Sequence, residues 1–448
     1  MTIQLQFPET GDSPKYLSIA NSIQAAIAEG RLAPGDPLPT HRDLADQLGV
    51  TVGTVTRGYA EAARRGLVRG ERGRGTYAMQ NRQGFAELGH DNGLVDLGLA
   101  ATTHPLGASL GATLVELSGR EGLQELLTRH ESRGLPRHRE AGVRWAAEYG
   151  YTAQADNVLV CAGAQHAVLT TMAAMFSPGD RVAVECLTYP MIKPMAKRLS
   201  LQLVPIPMDQ QGLLPDALNK ACARDKIRGL YTMPSCQNPT LARMPEFRRF
   251  ELAEVCRRHG LTIVEDDVYA LAVGSSLPPL SMLAPELGFF IAATSKVLCD
   301  GLRVAFLCAP SSAVRRLESA IEMTAWKAAG LMAEITSTWI NDGTATRIVE
   351  ANRTEAAARN DLALELLGQE TFRGQATGSF IWVPMPRGWR SVEFAETAAE
   401  RGVIVAHSEH FAVAGLGVEQ GVRVSLSGVR DRVVLGRGLT TLAEMLRL

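Results

Sequence analysis

The sequence predicts an α/β protein with a small helical head, on three observations. Residues 14–80 read as three short helices and two strands, apolar runs alternate with helical stretches from about residue 94, and long helices give way to a smaller α+β segment after about 330. Strand-helix alternation argues for a mostly parallel sheet with helices on both faces. The length, 448 residues, suits about three structural units. The 46 Lys+Arg residues nearly cancel the 47 Asp+Glu, which excludes a whole-molecule field drawing the chain to nucleic acid or membrane. Any nucleic-acid contact must be local. Only seven of the basic residues are lysine, so chemistry that needs an amine has few candidates.

In the head, Pro14 precedes an amphipathic helix with Leu17, Ile19, Ile23, Ala26 and Ile27 on its apolar side, ended by Gly30. Thr40 caps a helix from His41 to Leu48, Gly49 breaks it, and Thr51 caps a second from Val52 to about Arg65. Two short helices around a tight glycine turn are a helix-turn-helix signature. The strands Leu67–Gly70 and Thr76–Met79 flank a Gly/Arg turn and read as a wing. Thr51, Thr54, Thr56 and Arg57 are the short polar and basic side chains that a recognition helix presents to double-stranded DNA. Arg42 at the preceding helix start and Arg74 at the wing tip suit phosphates or a narrow groove. From 51 to 80, six arginines face two glutamates, a local net of +4. Residues 81–93 are polar and aperiodic, a linker between a 1–80 head and a 94–448 domain, whose large part spans about 145–330 and small part about 331–448.

In the larger domain the strands are expected at NVLVC, RVAVE, LQLVPI, GLYTM, LTIVED, FFIAA and VAFLC. NVLVC runs into Ala162-Gly163-Ala164-Gln165 at the opening of a helix, which aims N–H groups and a positive helix end at an anion. LTIVED places Glu265, Asp266 and Asp267 at a strand's carboxyl end, where ligands of doubly wound sheets bind, with Tyr269 just beyond. FFIAA delivers Thr294, Ser295 and Lys296, with Arg303 seven residues later; Lys296 is the one lysine directly after a strand that reads as buried. An amine, a strand-end acid, an anion seat and nearby aromatics are the needs of pyridoxal 5'-phosphate (PLP). Seven cysteines without a CxxC suit buried hydrophobes in a reducing compartment, and no spacing suggests a metal site. No apolar run nears the ~20 residues of a membrane span, and MTIQLQFPETGDSPK lacks a signal-peptide core, so a cytoplasmic protein without membrane partners is expected.

GRLAPGDPLPTHRDLADQLGVTVGTV followed by RRGLVRGERGRGTYA closely resembles the winged helix-turn-helix of GntR-type bacterial regulators, with Val52 where many relatives place an arginine. Residues 94–448 resemble the fold type I, aspartate aminotransferase-like PLP domain, and the whole chain resembles the MocR subfamily. The resemblance implies phosphate contacts from Gly163, Ala164, Gln165 and Arg303, a cofactor contact from Ser295, and a ring-stacking Tyr189. It further implies Asn238 and Tyr269 near the ring oxygen, Asp266 on the pyridine nitrogen, and Lys296 as the residue joined to PLP as a Schiff base. Arg423 matches the arginine that grips a substrate or effector carboxylate. Departures are Arg129 for a usual tyrosine, Ala293 for a common serine, and Cys299-Asp300-Gly301 for Ala-Pro-Gly. They leave imine formation possible and weigh against efficient turnover. The expectation is therefore a homodimeric, PLP-dependent regulator that senses PLP or a small amino compound. The alternative is a working aminotransferase with an appended head.

Overall fold

The computed structural model describes residues 14–28, 31–32, 35–64, 67–71, 75–78, 94–100, 102, 107–128, 131–413 and 417–447. The linker 81–93, Gly30, Arg65, Arg74, Met79 and Arg129 lie outside them. Contacts divide the chain into two compact units, residues 1–92 and 93–448. Among the described residues, no helix is long and apolar enough to cross a membrane.

The first unit contains helices Lys15–Ala28, His41–Leu48 and Val52–Arg64. Thr40 accepts from Asp43 N at 3.2 Å, and Gly49 ends the second helix at φ 58°, a left-handed conformation that glycine adopts without a Cβ clash. Thr51 accepts from Thr54 N at 3.3 Å and opens the third helix. Ile19, Ile23, Leu44, Val55 and Tyr59 form its core. The third helix lies so close to the first that a Cβ on Gly58 would stand 2.7 Å from the Ile19 side chain. The wing strands are Val68–Glu71 and Gly75–Ala78, paired antiparallel with Val68 opposite Ala78, so the first begins one residue later than its apolar run suggests.

In the second unit all seven expected strands join one sheet. Its order is Val158–Cys161, Ala305–Cys308, Gly288–Ala293, Thr262–Glu265, Ile227–Thr232, Arg181–Glu185 and Gln202–Ile206. Every pairing is parallel except those of Ala305–Cys308, which runs antiparallel between its two neighbours. Buried apolar side chains line both faces, Leu159, Val184, Val264 and Ile291 on one and Val160, Phe290, Ala292 and Phe306 on the other.

The smaller part pairs Phe380–Pro384 with Gly421–Ser425, which also pairs with Ala406–His407. Helices Thr344–Leu367 and Arg432–Leu446 pack together beside it. The two-residue strand Val95–Asp96, far earlier in the chain, joins this part by pairing parallel with Val403–Ile404. Its Val95 and Leu97 are buried in the same core as Val424 and Leu435.

Candidate functional site

The antiparallel strand explains how the site gathers. Ala293 lies opposite Ala305, and Ala305 opposite Cys161. The ends leading to Gly163 and Lys296, and the start that follows Arg303, therefore share one edge of the sheet. Thr262–Glu265 brings Asp266 to that edge as well. Sequence positions 140 residues apart thereby become neighbours.

At the anion seat, Gly163 has φ 87° and ψ 168° and opens helix Ala164–Met175. A Cβ there would meet the Arg303 guanidinium at 2.9 Å, so only glycine lets the arginine lie across the turn. Ala164 is half-buried, Gln165 exposed and Ser295 buried. Arg303 follows the turn Asp300–Leu302 in a left-handed conformation, φ 49° and ψ 47°.

The three consecutive acids have separate fates. Glu265 accepts from Leu280 N at 2.9 Å and Ser281 N at 2.7 Å, which ties down a turn. Asp267 accepts from Ser235 N at 3.1 Å, and Arg249, which donates to Ser235 Oγ, stabilises its charge. Asp266 Oδ2 accepts from Tyr231 OH at 2.7 Å, while its buried Oδ1 has no partner. Burial pushes the Asp266 carboxyl up to about 6, against the Tyr231 bond that lowers it. Tyr231 escaped the sequence reading; its signal is the register, which sets it opposite Val264 two residues before Asp266. On the neighbouring strand, Glu185 accepts from Thr232 Oγ1 at 2.5 Å and Met233 N at 3.1 Å. Burial pushes it up to about 7.

Tyr189 is half-buried against the core, and its hydroxyl is pushed up to about 12 by burial and by Asp266 and Tyr269, against the opposing pull of Arg303 and Arg423. Tyr269 is buried edge-on to Phe380, with ring centres 5.1 Å apart. Arg423 is buried; one terminal nitrogen donates to Asn238 Oδ1 at 2.9 Å and the other to Gly98 O at 2.6 Å. Its guanidinium also lies 5.1 Å from the Phe411 ring centre. Lys296 Nζ donates to Ala100 O at 2.7 Å and Asp300 Oδ1 at 3.1 Å. The departing Asp300 is thus an ion-pair partner of the amine four residues away.

A turn closed over an arginine, a buried carboxylate oxygen without a donor and a lysine amine paired with Asp300, each just beyond the end of a strand of one sheet, fit PLP: anion seat for phosphate, acid for the ring nitrogen, amine for the aldehyde.

In the head, Arg42, Thr51, Thr56 and Arg57 are exposed and Thr54 is half-buried. Thr51 Oγ1 and Thr54 Oγ1 are 2.9 Å apart, and Thr56 Oγ1 donates to Val52 O at 3.0 Å. The Arg57 guanidinium lies 5.8 Å from the Tyr16 ring centre.

Comparison with known proteins matches both units. Residues 123–435 match the aminotransferase class I and II family, and residues 15–78 match the gntR family of bacterial regulatory proteins. The uncharacterized HTH-type transcriptional regulator YdeF of Bacillus subtilis is 30% identical over 441 residues, 98% of this chain and 96% of that protein. The pyridoxine biosynthesis transcriptional regulator PdxR of Corynebacterium glutamicum is 28% identical over 67% of each chain. Among solved structures, the α-aminoadipate aminotransferase LysN of Thermus thermophilus, complexed with N-(5'-phosphopyridoxyl)-L-leucine, superposes with a TM-score of 0.70 at 25% identity, covering 80% of this chain and 92% of that one. A gntR-family head joined to an aminotransferase class I and II domain, with near full-length similarity to an HTH-type regulator, places this chain in the MocR subfamily of GntR-type transcriptional regulators.

Proposed function

We infer that this DNA-binding regulator holds PLP on Lys296 and responds to PLP or a small amino compound. The observation that carries the reading is the buried, unpartnered Oδ1 of Asp266, a site for the N–H of a pyridinium ring. When bound, PLP supplies an aldehyde that takes up an amine and a ring that draws electrons from it. Lys296 supplies the amine, and Asp266, oriented by Tyr231, keeps a proton on the ring nitrogen. The N–H groups of Gly163, Ala164 and Gln165, with Ser295 and Arg303, hold phosphate. Tyr189 would stack on the ring, Asn238 and Tyr269 would hold its oxygen, and Arg423 would take the carboxylate of an amino compound. The name of PdxR, a regulator of pyridoxine biosynthesis, supports a vitamin B6-related effector.

On this reading residues 1–80 bind double-stranded DNA through Arg42, Thr51, Thr54, Thr56, Arg57 and Arg74, residues 81–93 link, and residues 94–448 answer to the ligand. The protein acts in the cytoplasm as a homodimer, whose two heads take two half-sites. The purified protein should show a visible absorption band with PLP that Lys296→Ala abolishes. An unchanged spectrum in that variant rejects the site. Footprinting of the DNA beside its own gene, with and without PLP, tests the regulatory part. The presence of Asp266, Tyr269, Lys296 and Arg423 together also supports a second reading, a working aminotransferase. Sustained transamination at ordinary enzyme rates of ~1–1000 per second would select that reading.

A further inference from the structure

We propose that residues 95–100 form a strap that restrains Lys296 and Arg423, and that a ligand taking either cation releases it. This rests on the PLP and amine reading above and adds its regulation.

The strap's root is fixed in the small part of the domain. Val95 N donates to Gly402 O at 2.8 Å, Leu97 N to Ile404 O at 2.8 Å, and Ser425 N to Leu97 O at 2.7 Å. Its tip turns through Gly98, whose N–H donates to Asp96 Oδ1 at 2.8 Å. There two backbone carbonyls go to the two cations: Gly98 O to Arg423 and Ala100 O to Lys296. Leu99 between them is 70% exposed, so apolar burial does not hold the tip. The strap also beds closely on Gly428, where a Cβ would stand 2.4 Å from Asp96 O and 2.8 Å from Leu99 O.

Both carbonyls are weaker acceptors than the groups that would compete for these cations. A carboxylate outbids a neutral carbonyl for a guanidinium, so an amino acid seated on Arg423 draws it from Gly98 O. The lysine follows from counting hydrogens. When the ammonium of Lys296 condenses with an aldehyde, the aldehyde oxygen leaves as water with two of the nitrogen's three hydrogens, and one N–H remains. That single donor cannot serve both Ala100 O and Asp300. The charged Asp300 keeps it, and the strap carbonyl is let go. In sequence the strap begins two residues after the linker 81–93, so its release changes the start of the domain close to where the linker enters.

Two variants loosen the strap without touching the ligand-binding side chains. Gly428→Ala pushes against the strap backbone at a position whose own φ lies outside the left-handed region. Asp96→Ala removes the acceptor that shapes the tip. The full-length protein, stripped of cofactor, is mixed with PLP while the visible band is followed, and affinity for the DNA beside its gene is measured with and without PLP. Both variants should load PLP about tenfold faster than wild type, the size expected for one lost hydrogen bond to a charged group. The change in DNA affinity that PLP produces in wild type should shrink in both. Wild-type loading rates in both variants, with wild-type melting, overturn the strap. A wild-type chain that never develops the band overturns the cofactor reading instead.

Discussion

The head and the sheet-edge site use the same residue types in opposite surroundings. Arg57 in the head is exposed, near one tyrosine ring, Thr51 bonds locally at its helix start, and exposed Thr56 bonds to Val52 O and to His41 of the preceding helix. Arg423, on the middle strand of the small part's sheet, is buried, bonded to an asparagine and a strap carbonyl and flanked by Phe380 and Phe411. Exposed groups can change partners with little effect on folding. Buried polar groups are bound to one another, so removing one leaves its partner desolvated and unpaired. The head can therefore lose function without losing stability, whereas the site couples the two.

The largest test of that contrast is Asp266→Ala. It removes the acid proposed for the ring nitrogen and leaves buried Tyr231 OH without its acceptor. PLP affinity should fall by roughly 3–5 kcal/mol, the range for breaking a buried charged pair. Equal affinity in a titration of the variant would detach Asp266 from the cofactor. Next is Glu185→Gln. Burial raises the folded-state value of Glu185 from 4.5 to about 7. The resulting stability is present in full below about 4.5 and is lost as pH rises through about 7. At pH 8 the glutamine variant, which carries no buried charge, should be more stable by on the order of 3 kcal/mol, with no difference near pH 4. Thermal melts at the two pH values decide it, and a pH-independent difference would point to packing. The smallest effect belongs to the head. Arg57→Ala should weaken binding to the DNA beside the gene by about 1–3 kcal/mol while the melting temperature stays put. A large fall in melting temperature would show that the head is as tightly coupled as the site.

Much of this was legible in the sequence, for reasons that differ by element. Thr40, Gly49 and Thr51 mark the helix-turn-helix because capping is local chemistry. The seven strands stand out as apolar runs between turn signals. The antiparallel course of Ala305–Cys308 was not legible, since a strand buried on both faces has the same apolar texture in either direction. Likewise, the run Glu265-Asp266-Asp267 offers three similar acids; Leu280, Ser281 and Ser235, brought in from elsewhere in the chain, occupy two of them. Tyr231 acts through sheet register, and the strap begins as a two-residue strand too short to leave a periodic trace. Asp300 stood in plain view four residues from Lys296, but only the turn between them shows that the two side chains meet.

The place of Arg423 in the chain bears on how the protein is made. It sits on Gly421–Ser425, a strand paired with Phe380–Pro384 and Ala406–His407, whereas the head's elements end at Ala78. Domains fold as units, N-terminal first, at about 5–20 residues per second of synthesis. The head, with a core of its own, therefore leaves the ribosome some tens of seconds before the strand carrying Arg423. Throughout that interval the nascent chain carries the head without the strand that bears Arg423, and on the function proposed above a ribosome that stalled there would leave a head that no ligand could control.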